Sequence, residues 1–254
     1  MPLDIPDTPL ADRVEAWNRA LEGADPAEVV RFAMTAPEIG RMAAVSSFGA
    51  DSIALLHMIA RAGPGLPILF LDTGMLFPET LAYQRAVAAH LGLMDVRVIQ
   101  PDRLELFKRD PDGVLHVMDP DACCRLRKVE PLEKALRGFD AWITGRKRFQ
   151  GGRRATLQLF EIENGRVKVN PLAHWSPDEV QGYIGAHALP RHPLAGKSLP
   201  SLGCLPCTSE VAAGEDARAG RWRGREKDEC GIHFVDGKVV RGGAAGPDRQ
   251  GAVE

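Results

Sequence analysis

The sequence lacks the features that mark several classes of protein. No apolar run approaches the ~18 residues of a membrane-spanning helix, and the N-terminus has neither the basic start nor the apolar centre of a secretory signal peptide. We therefore expect a cytoplasmic protein with reduced thiols. An excess of one charge is also missing, since 32 basic and 34 acidic residues give a net charge of −2. With aromatic residues at 6%, this balance excludes an overall attraction to nucleic acid.

Cysteine is scarce, and its number is odd. Five cysteines in a reducing compartment suggest metal binding or reactivity rather than disulfides. Hydrophobic residues make up 44% of the 254 residues, which excludes a disordered chain. The length allows one large α/β domain or two small domains.

Short apolar strands alternate with helices through the first 145 residues. Helical spacing predicts a helical N-terminal region over 1–40, with Asp25 capping its second helix. Further on, the pattern predicts buried strands at 42–46, 67–71, 96–99 and 140–144, with helices at 52–61 and 77–91. This alternation indicates an α/β fold, in which a twisted parallel sheet is covered by helices on both faces.

The pattern changes beyond residue 150. Asn164-Gly165 between two apolar stretches predicts a β-hairpin. Ser176 followed by Pro177 predicts the start of a helix that ends near residue 186. The chain is loop-rich after that helix, and the Gly-rich polar stretch 241–254 is expected to be disordered.

Three of the predicted strands end in polar loops, where parallel sheets bind their ligands. The loop 46–51 has small residues, hydroxyls and a following helix N-terminus, which suit a phosphate, but it lacks the end of a Walker motif. The Asp72-Thr-Gly74 turn can offer a hydroxyl and backbone groups to a nucleotide. For both loops, an ordinary capped turn is the alternative.

Basic residues are grouped in the sequence although the net charge is small. A solvated face is the common explanation for such groups, and a small polyanionic ligand is the other. The groups are Arg146, Lys147, Arg148, Arg153 and Arg154; Arg218, Arg221, Arg223, Arg225 and Lys227; and Arg125, Arg127 and Lys128.

The cysteines divide into four and one. Cys204 and Cys207 form a C-x-x-C pair, and Cys123 and Cys124 are adjacent. Together they offer four thiolates, enough for zinc or an iron–sulfur cluster, and adjacent side chains reach a wide cluster with less distortion than a compact ion. A redox-active dithiol and buried thiols remain as alternatives. Cys230 follows several cations that would favour a nucleophilic thiolate, and an inert thiol is the alternative there.

In combination, these motifs resemble the assimilatory adenylylsulfate reductases of the phosphoadenylylsulfate reductase family. The resemblance rests on Cys123-Cys124, Cys204-Leu-Pro-Cys207 and Glu229-Cys-Gly-Ile-His233, and Leu71-Asp-Thr-Gly74 and Asn170-Pro-Leu172 agree with it. The Ser47-Phe-Gly-Ala50 loop also agrees but is less specific, because other PP-loop proteins share it. The resemblance implies an adenine nucleotide alpha hydrolase-like (PP-loop) fold in a single reductase domain over 1–240, with 209–240 as a mobile segment carrying the reactive cysteine. A homo-oligomer is compatible with it.

The implied activity is reduction of adenosine 5′-phosphosulfate to sulfite and AMP in sulfate assimilation, with thioredoxin as electron donor. A 4Fe–4S cluster would be held by Cys123, Cys124, Cys204 and Cys207, with Lys128 beside it and Cys230 as the nucleophile. Substrate-binding residues would be Ser46, Ser47, Phe48, Gly49, Leu71, Asp72, Thr73, Gly74, Arg154, Arg218, Arg221 and His233. The family's Gln-Ser-x-x-Arg region reads Gln150-Gly-Gly-Arg-Arg154 here, so Arg153 competes with Arg154 for its role.

Three alternatives stay open at this stage. One is a reductase that takes the 3′-phosphorylated substrate. A second is a PP-loop enzyme that cleaves ATP between the α- and β-phosphates and has no need of Cys230. The third is a structural zinc or iron–sulfur module whose cysteines only connect loops.

Overall fold

A computed structural model describes residues 8–195, 198–225, 227 and 229–232, without the side chain of Arg153. The predictions made for His233 and for the stretch 241–254 lie outside the described residues. Within the described part of the chain, no helix is long and apolar enough to cross a membrane.

A six-stranded sheet forms the centre of the described chain, in the order β3-β2-β1-β4-β6-β5. All neighbouring pairs are parallel except β5 and β6, which are antiparallel. The strands are β1 (Met42–Ser46), β2 (Ile68–Leu71), β3 (Val96–Ile99), β4 (Ala141–Thr144), β5 (Phe160–Glu163) and β6 (Arg166–Val169). The α/β fold and the four strands expected before residue 145 are thus confirmed.

The predicted hairpin is also present, but it is part of the main sheet. Strand β6 lies beside β4, where Val167 is opposite Ala141 and Val169 is opposite Ile143. Asn164 and Gly165 form its turn with φ angles of 51° and 73°, the left-handed values that this turn needs. The change of sequence pattern after residue 150 therefore marks a change of strand direction at the sheet edge.

The helices lie around this sheet. Two predicted caps are confirmed: the Asp25 side chain accepts a hydrogen bond from the Ala27 amide, and Ser176 forms a capping box with Glu179. The helices are α1 (Leu10–Ala20), α2 (Pro26–Thr35), α3 (Ser52–Ala62), α4 (Pro78–Leu91), α5 (Arg103–Arg109), α6 (Leu115–Met118), α7 (Pro120–Cys124), α8 (Glu130–Ala135) and α9 (Pro177–Ala186). A π-helical turn, Arg125–Val129, joins α7 to α8.

The central strands are buried along their whole length, and the sheet has an apolar cluster on each face. Every residue of β1, β2 and β4 is buried, as expected for parallel strands covered on both faces. Alternate side chains of β1 belong to different clusters, since Ala44 packs with α2, α3 and α4 while Val45 packs with Leu132 of α8. Because helices cover both faces of the sheet, the carboxyl ends of the strands are where a ligand can approach it.

Candidate active site at the carboxyl ends of the strands

The three polar loops that follow β1, β2 and β4 come together around one cavity. Their strands are neighbours in the sheet, so their carboxyl ends lie at the same edge. The far wall comes from 200–203 and from the C-terminal segment that carries Cys230. Among the residues that line the cavity are Ser46, Ser47, Gly49, Asp51, Leu71, Thr73, Thr144, Gly145, Leu202, Trp222 and Ile232. The prediction that these loops form one site is consistent with this arrangement.

The loop after β1 is closed by its own serines. The Ser46 hydroxyl accepts a hydrogen bond from the Phe48 amide (3.1 Å), and the Ser47 hydroxyl accepts one from the Gly49 amide (3.4 Å). Phe48 has φ of +47°, and its ring is fully buried against Phe70 at a centroid distance of 5.3 Å. Its side chain therefore fixes the loop from inside the core, and the nucleotide contact predicted for Phe48 would have to come from its backbone.

The turn after β2 divides its residues between the cavity and the turn itself. Leu71 and Thr73 line the cavity. The Asp72 carboxylate instead accepts hydrogen bonds from the Gly74 amide (3.0 Å) and from Gln100 Nε2 (2.9 Å). Asp72 and Gly74 thus shape the turn, and neither lines the cavity as the resemblance implied.

Cations surround the cavity. They are Lys128, Arg146, Lys147, Arg154, Arg218 and Arg221. Some of this charge is already balanced by carboxylates, because Lys147 Nζ lies 3.2 Å from Asp51 Oδ2 and Arg146 Nη2 lies 2.6 Å from Glu161 Oε2. Burial lowers the pKa of both cations, and those carboxylates oppose that effect. The cavity is consequently a basic site in a protein of small net charge.

Arg154 lines the cavity and meets a carboxylate that the sequence did not point to. Its Nη2 donates to Glu229 Oε2 at 2.8 Å, and its Nε donates to Glu229 Oε1. Arg218 Nη2 lies 3.9 Å from the same carboxylate. Arg154 thus faces the cavity beside Glu229, and its substrate-binding role stays a prediction. A partner 75 residues away carries no local sequence signal.

Arg221 lies over an aromatic ring at the cavity wall. Its guanidinium carbon is 4.5 Å from the centroid of the Trp222 ring, and its Nη1 donates to the Leu202 carbonyl at 2.8 Å. The absence of a side chain at Gly203 makes room for it, because a Cβ there would lie 2.1 Å from Arg221 Nη2. The sequence pointed to Arg221 as a candidate but not to the glycine that accommodates it.

The Cys230 thiol lies at the edge of the cavity beside Lys128. Lys128 Nζ is 3.4 Å from Cys230 Sγ. A hydrogen bond from Cys124 lowers the pKa of Cys230 well below its usual value, and the positive charges of Lys128 and Arg221 act in the same direction against burial. The same hydrogen bond and burial raise the pKa of Cys124. The positive charges of Lys128 and Arg221 thus act toward the thiolate form at Cys230.

The other four cysteines line a second, smaller cavity behind Lys128. Cys123, Cys124 and Cys204 are buried, Cys207 is partly buried, and all are free thiols. The adjacent pair lies at the end of α7, and it lines this cavity together with the C-x-x-C pair. The C-x-x-C loop is attached to the segment after β2, since Leu205 donates its amide hydrogen bond to the Met75 carbonyl (2.8 Å).

The four thiols suit some bound groups better than others. In the described ranges, no three Cys, His, Asp or Glu side chains converge closely enough for a single metal ion. Four free thiols around one small cavity instead match the ligand count of an iron–sulfur cluster, which spreads its thiolates over several irons. Burial raises the pKa of Cys123 to about 11, a cost that a bound metal would remove.

Known proteins resemble this chain in sequence. The family profile "Phosphoadenosine phosphosulfate reductase domain" matches residues 41–210. An adenosine 5′-phosphosulfate reductase of Mesorhizobium japonicum is 53% identical over 193 residues, which is 76% of each chain. One of Streptomyces coelicolor is 43% identical, covering 86% of this chain and 92% of its own. A phosphoadenosine 5′-phosphosulfate reductase of Gloeobacter violaceus is 39% identical, covering 91% of this chain and 96% of its own.

Solved structures give the same result. A phosphoadenylyl-sulfate reductase from Candida auris, crystallised with phosphate, aligns with a TM-score of 0.68 and 27% identity, covering 80% of this chain and 98% of that one. An FMN adenylyltransferase from Candida glabrata, at 14% identity and a TM-score of 0.54 over 80% of this chain and 69% of its own, shares the fold alone. With a profile that spans two thirds of its length and relatives this similar, the chain belongs to the phosphoadenosine phosphosulfate reductase family.

Proposed function

We propose that this protein is a thioredoxin-dependent reductase that converts adenosine 5′-phosphosulfate to sulfite and AMP in sulfate assimilation. The observation that carries the proposal is the Cys230 thiol 3.4 Å from Lys128 at the edge of a cation-lined cavity. A nucleophile is thereby placed where a small anionic nucleotide would bind. The relatives from Mesorhizobium and Streptomyces support the substrate, since both are named adenosine 5′-phosphosulfate reductases.

The chain's own residues would first bind and neutralise the substrate. Leu71, Thr73 and the serine loop would surround the adenosine and its phosphate. Arg154, Arg218 and Arg221 would bind the phosphate and sulfate oxygens, because a guanidinium fork matches such oxygens. This neutralisation is needed because an anionic thiolate must approach an anionic sulfate.

The reaction would then proceed in two displacements. The Cys230 thiolate attacks the sulfur of the phosphosulfate, an S–S bond forms, and the S–O bond breaks as AMP leaves with its electron pair. The product is an S-sulfocysteine at residue 230. A thioredoxin thiolate next attacks Sγ of Cys230 and releases sulfite, and the second thioredoxin thiol resolves the mixed disulfide. The thioredoxin dithiol supplies both electrons.

We infer that the four remaining cysteines hold a 4Fe–4S cluster. When bound, the cluster would join the end of α7 to the C-x-x-C loop beside Lys128, and the reaction as written requires no change in its oxidation state. Lys128 would then lie between the cluster and the sulfate, and its positive charge would stabilise the anionic sulfate. We place the reaction in the cytoplasm, the compartment that keeps such thiols reduced.

The covalent intermediate gives the sharpest test. The protein is mixed with adenosine 5′-phosphosulfate without reductant, digested and examined by mass spectrometry. A sulfite-sized adduct on the Cys230 peptide is expected, and reduced thioredoxin should remove it. Absence of the adduct would rule out this mechanism, and release of pyrophosphate from ATP would indicate the PP-loop pyrophosphatase instead.

Use of the 3′-phosphorylated nucleotide is the second candidate, because the relative from Gloeobacter bears that name. Sulfite release from each of the two nucleotides, measured with reduced thioredoxin, separates the candidates. We expect the substrate without the 3′-phosphate to be used preferentially.

A further inference from the structure

One acidic side chain from the Cys230 segment reaches the cations of the cavity. Glu229 directly precedes Cys230, and both of its carboxylate oxygens accept hydrogen bonds from the fork of Arg154. The same carboxylate lies 3.9 Å from Arg218. Two of the three arginines assigned to the substrate's anionic groups therefore already face an anion that belongs to the protein.

Glu229 and Arg154 form an ion pair that is largely buried. Its side chains are only 15% and 13% exposed, so solvent screens the pair weakly. The remaining nitrogen of the guanidinium, Nη1, donates to Gln150. Each nitrogen of Arg154 thus has a protein acceptor, and an incoming phosphate or sulfate can take the bidentate position only if the carboxylate leaves it.

We propose that Glu229 is an internal competitor of the substrate, which occupies Arg154 and faces Arg218 in the free protein and is displaced by the ligand's phosphate or sulfate oxygens. The proposal rests on the function proposed above, since it takes the ligand to be a 5′-anionic adenosine nucleotide. A planar carboxylate imitates two oxygens of such a group. Glu229 then sets the affinity for anionic ligands and is a positioning residue for the arginines.

Displacement of Glu229 does not require the Cys230 segment to leave. Two other contacts hold the segment to the cysteine-bearing side of the molecule: Lys227 pairs with Asp121 of α7, and Arg225 donates to the carbonyl of His116. Lys128 also remains beside Cys230. The carboxylate can therefore turn away while the thiol stays near the bound substrate.

The test is a calorimetric measurement of AMP binding to the full-length protein as isolated. Glu229→Gln removes the charge and keeps the shape, so AMP is expected to bind about tenfold more tightly, the scale of one charge-assisted contact. Adenosine has no phosphate, and its affinity should not change. A gain in affinity confined to the anionic ligand is not the effect of structural damage.

Glu215→Gln is the matched control. Glu215 also pairs with an arginine of the C-terminal region, Arg223, but both side chains are exposed and neither lines the cavity. It should bind AMP as the wild type does. Unchanged or weaker AMP binding by Glu229→Gln overturns the proposal, as does an equal gain for adenosine. If AMP binds to none of the variants, the nucleotide site itself is wrong, and the proposed function fails with it.

Discussion

At the scale of single residues, Gly203 leaves no room for a side chain beside Arg221. The guanidinium is the end of a flexible side chain, so a Cβ at residue 203 is expected to move it rather than to break the fold. We predict that Gly203→Ala raises KM for the nucleotide about tenfold through loss of one charge-assisted contact. Steady-state sulfite release measures KM, and circular dichroism of the same sample checks that the fold is intact.

A second glycine provides the control for that substitution. Gly182 lies in α9, where a Cβ meets nothing within 4 Å. Gly182→Ala should keep KM and add up to about 1 kcal/mol of stability, because alanine is the better helix former. A wild-type KM in Gly203→Ala would show that Arg221 does not contact the substrate.

The sequence identified which loops form the cavity better than it identified the individual side chains. Ser46, Ser47 and Gly49 could be expected there, because small hydroxyl residues between a strand and a helix suit an anion. Phe48 and Asp72 belong to the same motifs, yet one ring lies in the core and one carboxylate closes its own turn. Adjacent residues in a tight turn point in different directions, and their order alone does not give those directions.

At the scale of elements, a buried ion pair ties the π-helical turn to the chain before α6. Arg127 Nη2 lies 2.6 Å from Asp110 Oδ2, and Arg127 Nη1 donates to the Thr73 carbonyl. We predict that Arg127→Met lowers the free energy of unfolding by about 3 kcal/mol, because it leaves a buried carboxylate without its counter-ion. Urea denaturation measures the free energy of unfolding.

Arg125→Met is the control, because Arg125 lies at an exposed position two residues earlier. This substitution should change the free energy of unfolding by less than about 0.5 kcal/mol.

The four cysteines of α7 and the C-x-x-C loop give a prediction about the iron content and visible absorption of the protein. Cys207→Ser removes one of four thiol ligands, so we expect purified protein with low iron content and weak visible absorption. Cys230→Ser is the matched control, since it should stay brown and contain iron while forming no sulfite adduct. Equal iron content in the two variants would count against the four-cysteine site.

Elements with a strong pattern could be predicted, and those without one could not. Buried strands β1, β2 and β4 are short apolar runs, and α9 begins with a serine–proline signal. Helices α5 to α8 are only four to seven residues long, too short to show a helical period. The pairing of β6 with β4 could not be predicted either, because a hairpin signal specifies its own two strands and not the strand beside them.

At the scale of the whole molecule, one buried lysine predicts a pH dependence of stability. Lys168 is fully buried beside Glu163, and burial followed by the charge of Arg146 lowers its pKa from 10.5 to about 8. Between these values the unfolded chain binds more protons than the folded one, so stability contributed by this group rises with pH. Relative to Lys168→Met, the wild type should gain unfolding free energy from about pH 8 to 10.5.

The measurement is urea denaturation at several pH values in that window. Lys134→Met removes an exposed lysine of α8 and should keep the wild-type slope. Parallel profiles for the wild type and Lys168→Met would contradict the lowered pKa.

The distribution of charge in the molecule shows why the net value was a poor guide. A net charge of −2 coexists with six cations around one cavity. The groups of basic residues in the sequence predicted such a site. The acidic residues that pair with them could not be predicted from the sequence. Lys147 meets Asp51 across 96 residues, and pairs of this kind are set by the fold alone.

Thr73 connects the two cavities. It lines the cation-lined cavity, its hydroxyl lies 3.2 Å from Sγ of Cys204 in the cysteine cavity, and its carbonyl accepts a hydrogen bond from Arg127. A ligand that shifts this one buried residue changes the hydrogen bonding of a thiol in the other cavity. With the proposed cluster bound to these cysteines, its visible absorption is expected to respond to nucleotide binding, which could then be followed without any added dye.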